Sequence, residues 1–473
     1  MAPVFAFLNG CISDNNQFWP DPGPKIMPSG SDYRFVQGTL VLILGLFYVF
    51  WLPLFEAPDE PQHFMRAFAL AEGQFVHRDQ PRELGELYLE RMQTLYPGMI
   101  QSSILQEAQM ELDSGHPRVS GLAPNTSVYS FVPYLFHAAA IKAWSVWRDP
   151  VQDLELLVYL CRLVSLWIFV FCFGLALYLA PGLSWPLFWL ASTPMVLAQS
   201  AIVGLDGIVL GCVFLFLTAP MSRLNDYLFA GLIFLASLLL FQAKFPYLPV
   251  VFLSLVLIYQ SGQHIRFRAA ALVLSCLLSL GTAMAWMLAS REASQDLIAF
   301  LQKHWHPAIN PSEQLVFILT SPLKYSWIML TSLYDNLGML AQQFVGVLGW
   351  LSIPIDFQLV WVWLGMGIVS IFLAGKFDLS LRQKIFIFAA SAVVCLLTFA
   401  LVLTSMYLIC DPVKSASITM QGRYFHPVAA MFLTGCAAII PWKISRCSGF
   451  IKAAFVLGAV MINARMLMIV HAG

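Results

Sequence analysis

Apolar residues fall in long runs parted by short polar breaks, and the runs have the length of membrane-crossing helices. The first, Val36 to Phe55, is long enough to cross a bilayer as a helix. Others follow at roughly 157–180, 185–203, 206–220, 227–242, 246–260, 269–289, 357–375, 384–409, 426–441 and 451–469. Several are short for a full crossing, which predicts tilted or closely packed helices. Residues 56–156 have ordinary soluble character. Glu83 to Met99 and Ser102 to Leu112 read as surface helices, followed by a polar loop with Pro117, Gly121 and Pro124. The segment 128–147 is apolar but carries Pro133, His137 and Lys142, so a span and an interfacial helix both stay open. The stretch 291–356 is mixed, with an apolar run near 315–333 broken by Pro322, and reads as a second outer loop with surface-lying helices. If 128–147 and 315–333 lie at the interface, about eleven spans remain, and up to about thirteen if both cross.

Composition agrees with a polytopic, all-α membrane protein. The chain is 59% hydrophobic and 11% charged, where soluble domains carry about 25% charged residues. With 26 basic and 26 acidic residues there is no net charge and no case for a nucleic-acid partner. Loops holding Arg223, Arg266 and Arg268, Lys376, Arg382 and Lys384, and Lys443, Arg446 and Lys452 fall on one side, with Lys25 and Arg34 before the first run. Positive loops mark the cytoplasmic face. The expected organisation is therefore a cytoplasmic N-terminal segment (1–35), a membrane module (36–290) whose outer loop is 56–156, a second outer loop (291–356) and C-terminal transmembrane helices (357–473). The residues before Arg34 show no cleavable signal pattern, so the first span is expected to anchor the chain. The nine cysteines form no CxxC pair, which supports neither a zinc site nor a disulfide framework.

The outer side gathers the candidate chemistry. Directly after the first span comes Phe55-Glu56-Ala57-Pro58-Asp59-Glu60-Pro61-Gln62-His63-Phe64-Met65-Arg66. Pro58 favours an extended residue before it, and Pro61 suits the first turn of a helix running to about Gly73. On that helix Glu60, His63 and Arg66 recur at three-residue steps, and Asp59 and His63 are four apart, so they can share a face. Asp59 or Glu60 is then either a helix cap on a solvated face or a catalytic carboxylate. The same parity puts Arg162, Asp206, Lys244 and the run Gln421-Gly422-Arg423-Tyr424-Phe425 on this side. Charges at membrane depth usually face a cavity or a partner, although a lone Lys or Arg can snorkel to the interface. Asp206 has no long stem with which to do so.

A carboxylate beside a membrane, with fixed cations near it, suits transfer of a group from a lipid-linked phosphate. The carboxylate acts as general base on an acceptor hydroxyl, and the cations hold the departing phosphate. No Gly-rich nucleotide loop is visible, so the donor is expected from the membrane. Pro58 to Ala67, Gly73, Phe344-Val345-Gly346-Val347-Leu348-Gly349-Trp350 and Gln421 to Pro427 together resemble a bacterial membrane-protein family known as domain of unknown function 2142. That family is in turn similar to the type C glycosyltransferases, multi-span enzymes that use polyprenyl-phosphate sugars. The resemblance implies a bacterial inner-membrane enzyme working on the periplasmic face. Asp59 would be its base, with Glu60 its neighbour and rival as the catalytic carboxylate, assisting it or binding a metal. Asp206 would be the acidic residue at the outer end of a later span, and His63, Arg66, Arg162, Lys244, Gln421, Arg423 and Tyr424 would bind substrate. The donor would be a polyprenyl-phosphate sugar and the acceptor a glycan or glycolipid, with inversion at the anomeric carbon.

Departures from the family pattern are Gln62, where a small residue is usual, and Ser352, where an acidic residue is frequent. The second leaves a divalent metal possible but without an obvious ligand. His304 and His306, two apart, are poorly placed to share a helical face as ligands. His116 and His137 read as loop and interface residues, and aromatics such as Tyr129, Tyr134, Trp305 and Tyr424 can pack or stack on sugar rings. Two rival readings need no transfer chemistry: a transporter or flippase of lipid-linked glycans, and a non-catalytic subunit of a polysaccharide assembly system.

Overall fold

The computed structural model describes residues 33–76, 79–95, 103–120, 124–442, 444 and 448–472. Most of the expected N-terminal segment, with Lys25, and the loop residues Lys443 and Arg446 lie outside the described residues. Helix α1 (Arg34–Trp51) stops where Pro53 holds Leu52 in extended backbone. The chain then passes through two left-handed residues, Phe55 and Asp59, into α2 (Glu60–Ala71). Pro61 stands in its first turn, where the missing N–H has no helical partner to lose. Helix α2 lies outside the long apolar spans and buries Phe64, Met65 and Phe68, worth about 1.5–3 kcal/mol each against exposure to water.

Beside α2 lies a small unit. It consists of the antiparallel ladder of β1 (Asp79–Pro81) with β2 (Arg118–Ser120), α3 (Arg82–Leu95) and α4 (Ser103–Asp113). Segment 128–147 becomes a 3-10 turn at Pro133 followed by α5 (Leu135–Trp144), a helix of 10 residues that packs on α2 and is too short to cross alone. Helix α6 (Leu154–Leu179) then runs the length of the bundle against α1.

The expected span 185–203 is two pieces, α7 (Ser184–Ala191) and α8 (Pro194–Ser200), every residue of them buried. Thr193 is extended because Pro194 follows it. The freed backbone is met by side chains, Ser192 Oγ donating to Phe188 O at 2.6 Å and Thr193 Oγ1 to Trp189 O at 3.1 Å.

Helices α9 (Asp206–Thr218) and α10 (Asp226–Ala243) form an antiparallel hairpin, followed by α11 (Val250–Ser261) and α12 (Ile265–Ala289). Arg268 of α12 pins the hairpin's turn, donating to Ser222 O at 2.9 Å, Leu224 O at 2.6 Å and Asp226 Oδ1 at 3.1 Å. Asp206 and Lys244, at the two open ends of this hairpin, are thereby brought side by side.

The mixed stretch 291–356 holds α13 (Arg291–His304), α14 (Pro311–Thr320) and α15 (Pro322–Val345). Pro322 bends the last two by 107°. A hairpin of β3 (Val347–Leu348) and β4 (Ile353–Pro354) follows, then α16 (Phe357–Leu373), α17 (Leu381–Cys410), α18 (His426–Ile439) and α19 (Ser448–Ala472). Tyr48 of α1 donates to Asn463 Oδ1 of α19 at 2.9 Å, and Asn463 Nδ2 donates to Ser192 O at 2.8 Å. One buried amide thus ties α1 and α19 to the broken α7–α8 segment.

The protein is an all-α membrane protein. Among the described residues six helices (α1, α6, α10, α12, α17 and α19) are long and apolar enough to cross a bilayer, or seven if the bent α14–α15 pair counts as one. Three shorter apolar helices lie at Asp206–Met221, Phe245–Ser261 and Phe357–Leu373. Length and composition therefore support fewer spans than the eleven or so apolar runs. The difference lies in runs interrupted by proline or ending in polar turns.

Glu60 and Arg162, expected among the site residues, fasten α2 to this bundle. Both are fully buried, and Arg162 Nε and Nη2 donate to Glu60 Oε1 and Oε2, each at 2.7 Å. Arg162 also donates to the carbonyls of Val49 (3.0 Å), Leu52 (2.7 Å) and Pro53 (2.8 Å) at the end of α1. Glu60 accepts from Phe55 N at 3.1 Å and Val203 N at 3.2 Å. A buried pair with every partner in place holds; removing one member strands a charge, at a cost of about 3–5 kcal/mol. Glu60→Gln or Arg162→Met should accordingly lower the melting temperature sharply in detergent and open the 53–60 segment to protease, as read by thermal melts and limited proteolysis.

Candidate functional site

Asp59 occupies the N-cap position of α2, yet its carboxylate makes no capping hydrogen bond. It turns instead to Arg423, whose Nη2 donates to Asp59 Oδ2 at 2.9 Å across 364 positions of sequence. Left-handed backbone (φ 66) aims it there, a conformation that Asp tolerates better than most residues. The helix-cap reading of Asp59 therefore fails on geometry.

Arg423 sits in a 3-10 turn, Gly422–Phe425, ahead of α18. Gly422 is required by close approach, since a Cβ there would lie 2.1 Å from Leu340 O and 2.7 Å from Phe344 N. Its N–H donates to Gln343 Oε1 at 2.8 Å. From this anchorage the guanidinium reaches Gln199 Oε1 at 3.4 Å and the Tyr424 hydroxyl at 3.3 Å, and its Nε lies 4.0 Å from Asp206 Oδ2. Lys244 Nζ donates to Asp206 Oδ1 and lies 4.6 Å from the centre of the Tyr424 ring. Tyr247 donates to Tyr424 O at 2.9 Å. Asp59, Asp206, Lys244, Arg423 and Tyr424 thus form one cluster with two acidic and two basic side chains.

The members differ in access. Asp59 keeps 39% of its side-chain surface open, against 19% for Asp206, 18% for Lys244 and 4% for Arg423. A molecule arriving at the cluster meets Asp59 first. Behind it a cleft lined by Gln199, Ser200, Asp206, Tyr247, Arg423 and His426 leads between α8, α9 and α18.

The remaining expected residues divide. His63, half-buried, makes a 2.6 Å hydrogen bond between Nδ1 and the Tyr134 hydroxyl, with the Tyr129 and Tyr134 rings each 5.8 Å from its own. Burial depresses its pKa to about 4; Asp59 and Asp206 push the other way, and Lys244 and Arg423 reinforce the depression. Arg66 is buried and holds backbone, donating to Phe75 O at 2.7 Å and Tyr129 O at 3.3 Å. It braces the wall of the site rather than facing it. Gln421 is half-buried one residue ahead of the 3-10 turn. Glu60 and Arg162, expected here, are spent on each other, so of the two adjacent carboxylates Asp59 alone joins the Arg423 cluster.

Sequence reasoning missed Gln199 and Tyr247. Gln199 is a polar interruption of an otherwise apolar run, which was the available signal. It also passed over Glu56, which is buried; burial lifts its carboxyl to about 7, against the pull of Arg162 and with the push of Glu60.

Among the described residues no group of three or more His, Cys, Asp and Glu side chains is placed to hold a metal ion. The two site carboxylates are already neutralised by Arg423 and Lys244, a donor set that suits a divalent cation poorly.

A family model described as a predicted membrane protein, DUF2142, matches residues 42–432. No curated protein and no solved structure matches the chain.

The depressed pKa of His63 has a measurable sign. Between about 4 and 6.5 the unfolded chain binds a proton that the folded chain refuses, so stability falls as pH drops through that window. Melting curves from pH 7.5 to 4.5 should show a steeper decline for the native protein than for His63→Gln, and parallel curves would exclude this origin.

Proposed function

The chain belongs to the DUF2142 family of predicted membrane proteins, and from that premise we propose that it is a membrane glycosyltransferase. In this reading it moves a sugar from a polyprenyl-phosphate donor to a hydroxyl of a cell-surface glycan or glycolipid. The observation that carries the reading is the direct contact of a half-open carboxylate, Asp59, with a buried guanidinium, Arg423, beside the Asp206–Lys244 pair. Asp59 takes the proton of the acceptor hydroxyl. The acceptor oxygen forms its bond to the anomeric carbon as the bond from that carbon to the phosphate oxygen breaks, with inversion. Arg423 and Lys244 hold the lipid phosphate that leaves with the electron pair. Tyr129, partly buried beside His63, is the aromatic ring available to a sugar, whereas Tyr134, also expected to stack, is fully buried against His63 and Arg66. In this reading the chemistry takes place on the periplasmic face of a bacterial inner membrane, a side supported by the Lys and Arg of the opposite loops.

Asp59 is paired with Arg423, and that contact occupies the carboxylate oxygen nearest the guanidinium. A phosphate competes for the same guanidinium, so donor binding releases Asp59 and arms the site. This ordering keeps the base quiet until there is something to transfer.

A specific observation favours one rival. Discontinuous helices characterise transport sites, and here α7–α8 and α14–α15 are both interrupted, with α8 and the end of α15 touching the cluster. A lipid-linked glycan flippase would use the same cations without needing a base.

Asp59→Asn separates the two readings. For a transferase it should lower sugar transfer from a labelled polyprenyl-phosphate donor in proteoliposomes by at least about a hundredfold, while donor binding is kept or tightened. Arg423→Gln should weaken donor binding itself. Full transfer by Asp59→Asn rejects the assigned base, and lipid translocation without transfer by the native protein selects the flippase.

A further inference from the structure

The run Phe344 to Trp350 has no part in the chemistry above, yet it reaches both halves of the Asp59–Arg423 pair. On one side the end of α15 holds Arg423, through Gln343 to Gly422 N and through His426 Nε2, which donates to Phe344 O at 2.8 Å. On the other, the hairpin of β3 and β4 turns through three left-handed residues, Gly349 (φ 58), Trp350 (φ 51) and Leu351 (φ 65). Trp350 and Leu351 are bulky residues in a conformation that such side chains rarely adopt, and such backbone persists only where its surroundings enforce it.

The turn presses Trp350 against the segment that carries Asp59. The indole Nε1 donates to Phe55 O at 3.1 Å, and the backbone N–H donates to Glu56 O at 3.1 Å. Phe55 is itself left-handed (φ 66), as is Asp59 four residues on. Two strained turns, one on each side of the contact, hold each other through two hydrogen bonds. The segment between α1 and α2 is also tied by Arg162 to the carbonyls of Leu52 and Pro53 and by Phe55 N to Glu60; the Trp350 bonds add the hold on the Phe55 and Glu56 carbonyls, from which the chain runs on to Asp59.

We propose that Trp350 is a positioning residue: its paired hydrogen bonds to Phe55 and Glu56 set the placement of Asp59 against Arg423. The role rests on the assigned chemistry only for its purpose. The placement itself is a property of the folded chain and is measured without substrate.

The test is a double-mutant cycle in melting temperature. Asp59→Asn, Arg423→Gln and their combination are measured in purified protein in two backgrounds, native and Trp350→Phe, which keeps an aromatic ring and removes the indole N–H. In the native background the two changes should be non-additive by about 2 °C or more, the mark of a direct pair. In the Trp350→Phe background the coupling should fall by half or more. Trp144→Phe is the control, because its indole N–H donates to Asp153 Oδ2 at 3.0 Å, a local bond that involves neither Asp59, Arg423 nor the residues that anchor them. It should lower the melting temperature and leave the coupling intact. Arg423→Lys repeats the cycle if Arg423→Gln does not fold.

Equal coupling in the native and Trp350→Phe backgrounds overturns the proposal, and so does equal loss in the Trp144→Phe control. Additivity in the native background also overturns it, since there is then no pair to position. Failure of the transferase reading is a separate result, namely no binding of polyprenyl phosphate by the native protein, and it leaves the cycle interpretable.

Discussion

A guanidinium sealed from water has to be answered on every N–H, and the way Arg162 is answered decides where the rest of the outer structure sits. Its five donors are shared between the two oxygens of Glu60 and three carbonyls at the end of α1. Those carbonyls are available because Pro53 stops the helix there. Glu60 is in turn the first residue of α2, so the pair fixes the start of α2 relative to α1 and α6. With Glu60 held inward, its neighbour Asp59 is left facing outward, toward Arg423. The division of labour between two adjacent carboxylates follows from one buried contact.

The cluster that results is nearly neutral and unevenly exposed. Arg423 and Lys244 are the more buried members, while Asp59 is the most open and has left-handed backbone. This suits a site in which the anion-holding groups stay fixed and the proton-accepting group moves by a small amount when an anion arrives. Each cation lies close to the Tyr424 ring, whose face stabilises positive charge without neutralising it.

Much of this was legible in the chain, and the illegible part has identifiable causes. Apolar runs located α1, α6, α10, α12, α17 and α19 within a few residues, since an uninterrupted apolar helix has one simple signature. The run 185–203 misled because a wholly buried segment stays apolar even where Pro194 breaks it. Hydropathy reports the surroundings and not the backbone. Loop charge and membrane parity placed Asp59, Asp206, Lys244 and Arg423 on one side, and the fold brings these four together. The same argument grouped Arg162 and Glu60 with them, because parity reads depth along the membrane normal and is blind to which way a side chain turns. Gln199 and Trp350 escaped for a further reason. Their importance lies in hydrogen bonds to residues hundreds of positions away.

The α9–α10 hairpin works as a ruler. Asp206 starts its outgoing leg, Lys244 follows its returning leg, and Arg268 clamps the turn that joins them. A helix advances about 1.5 Å and rotates about 100° per residue, so one residue gained or lost between positions 207 and 243 would carry a charged side chain off the cluster and into apolar packing. Length variation among related chains should therefore be suppressed in this stretch, and tolerated around β1, β2 and α4, where only a peripheral unit would shift.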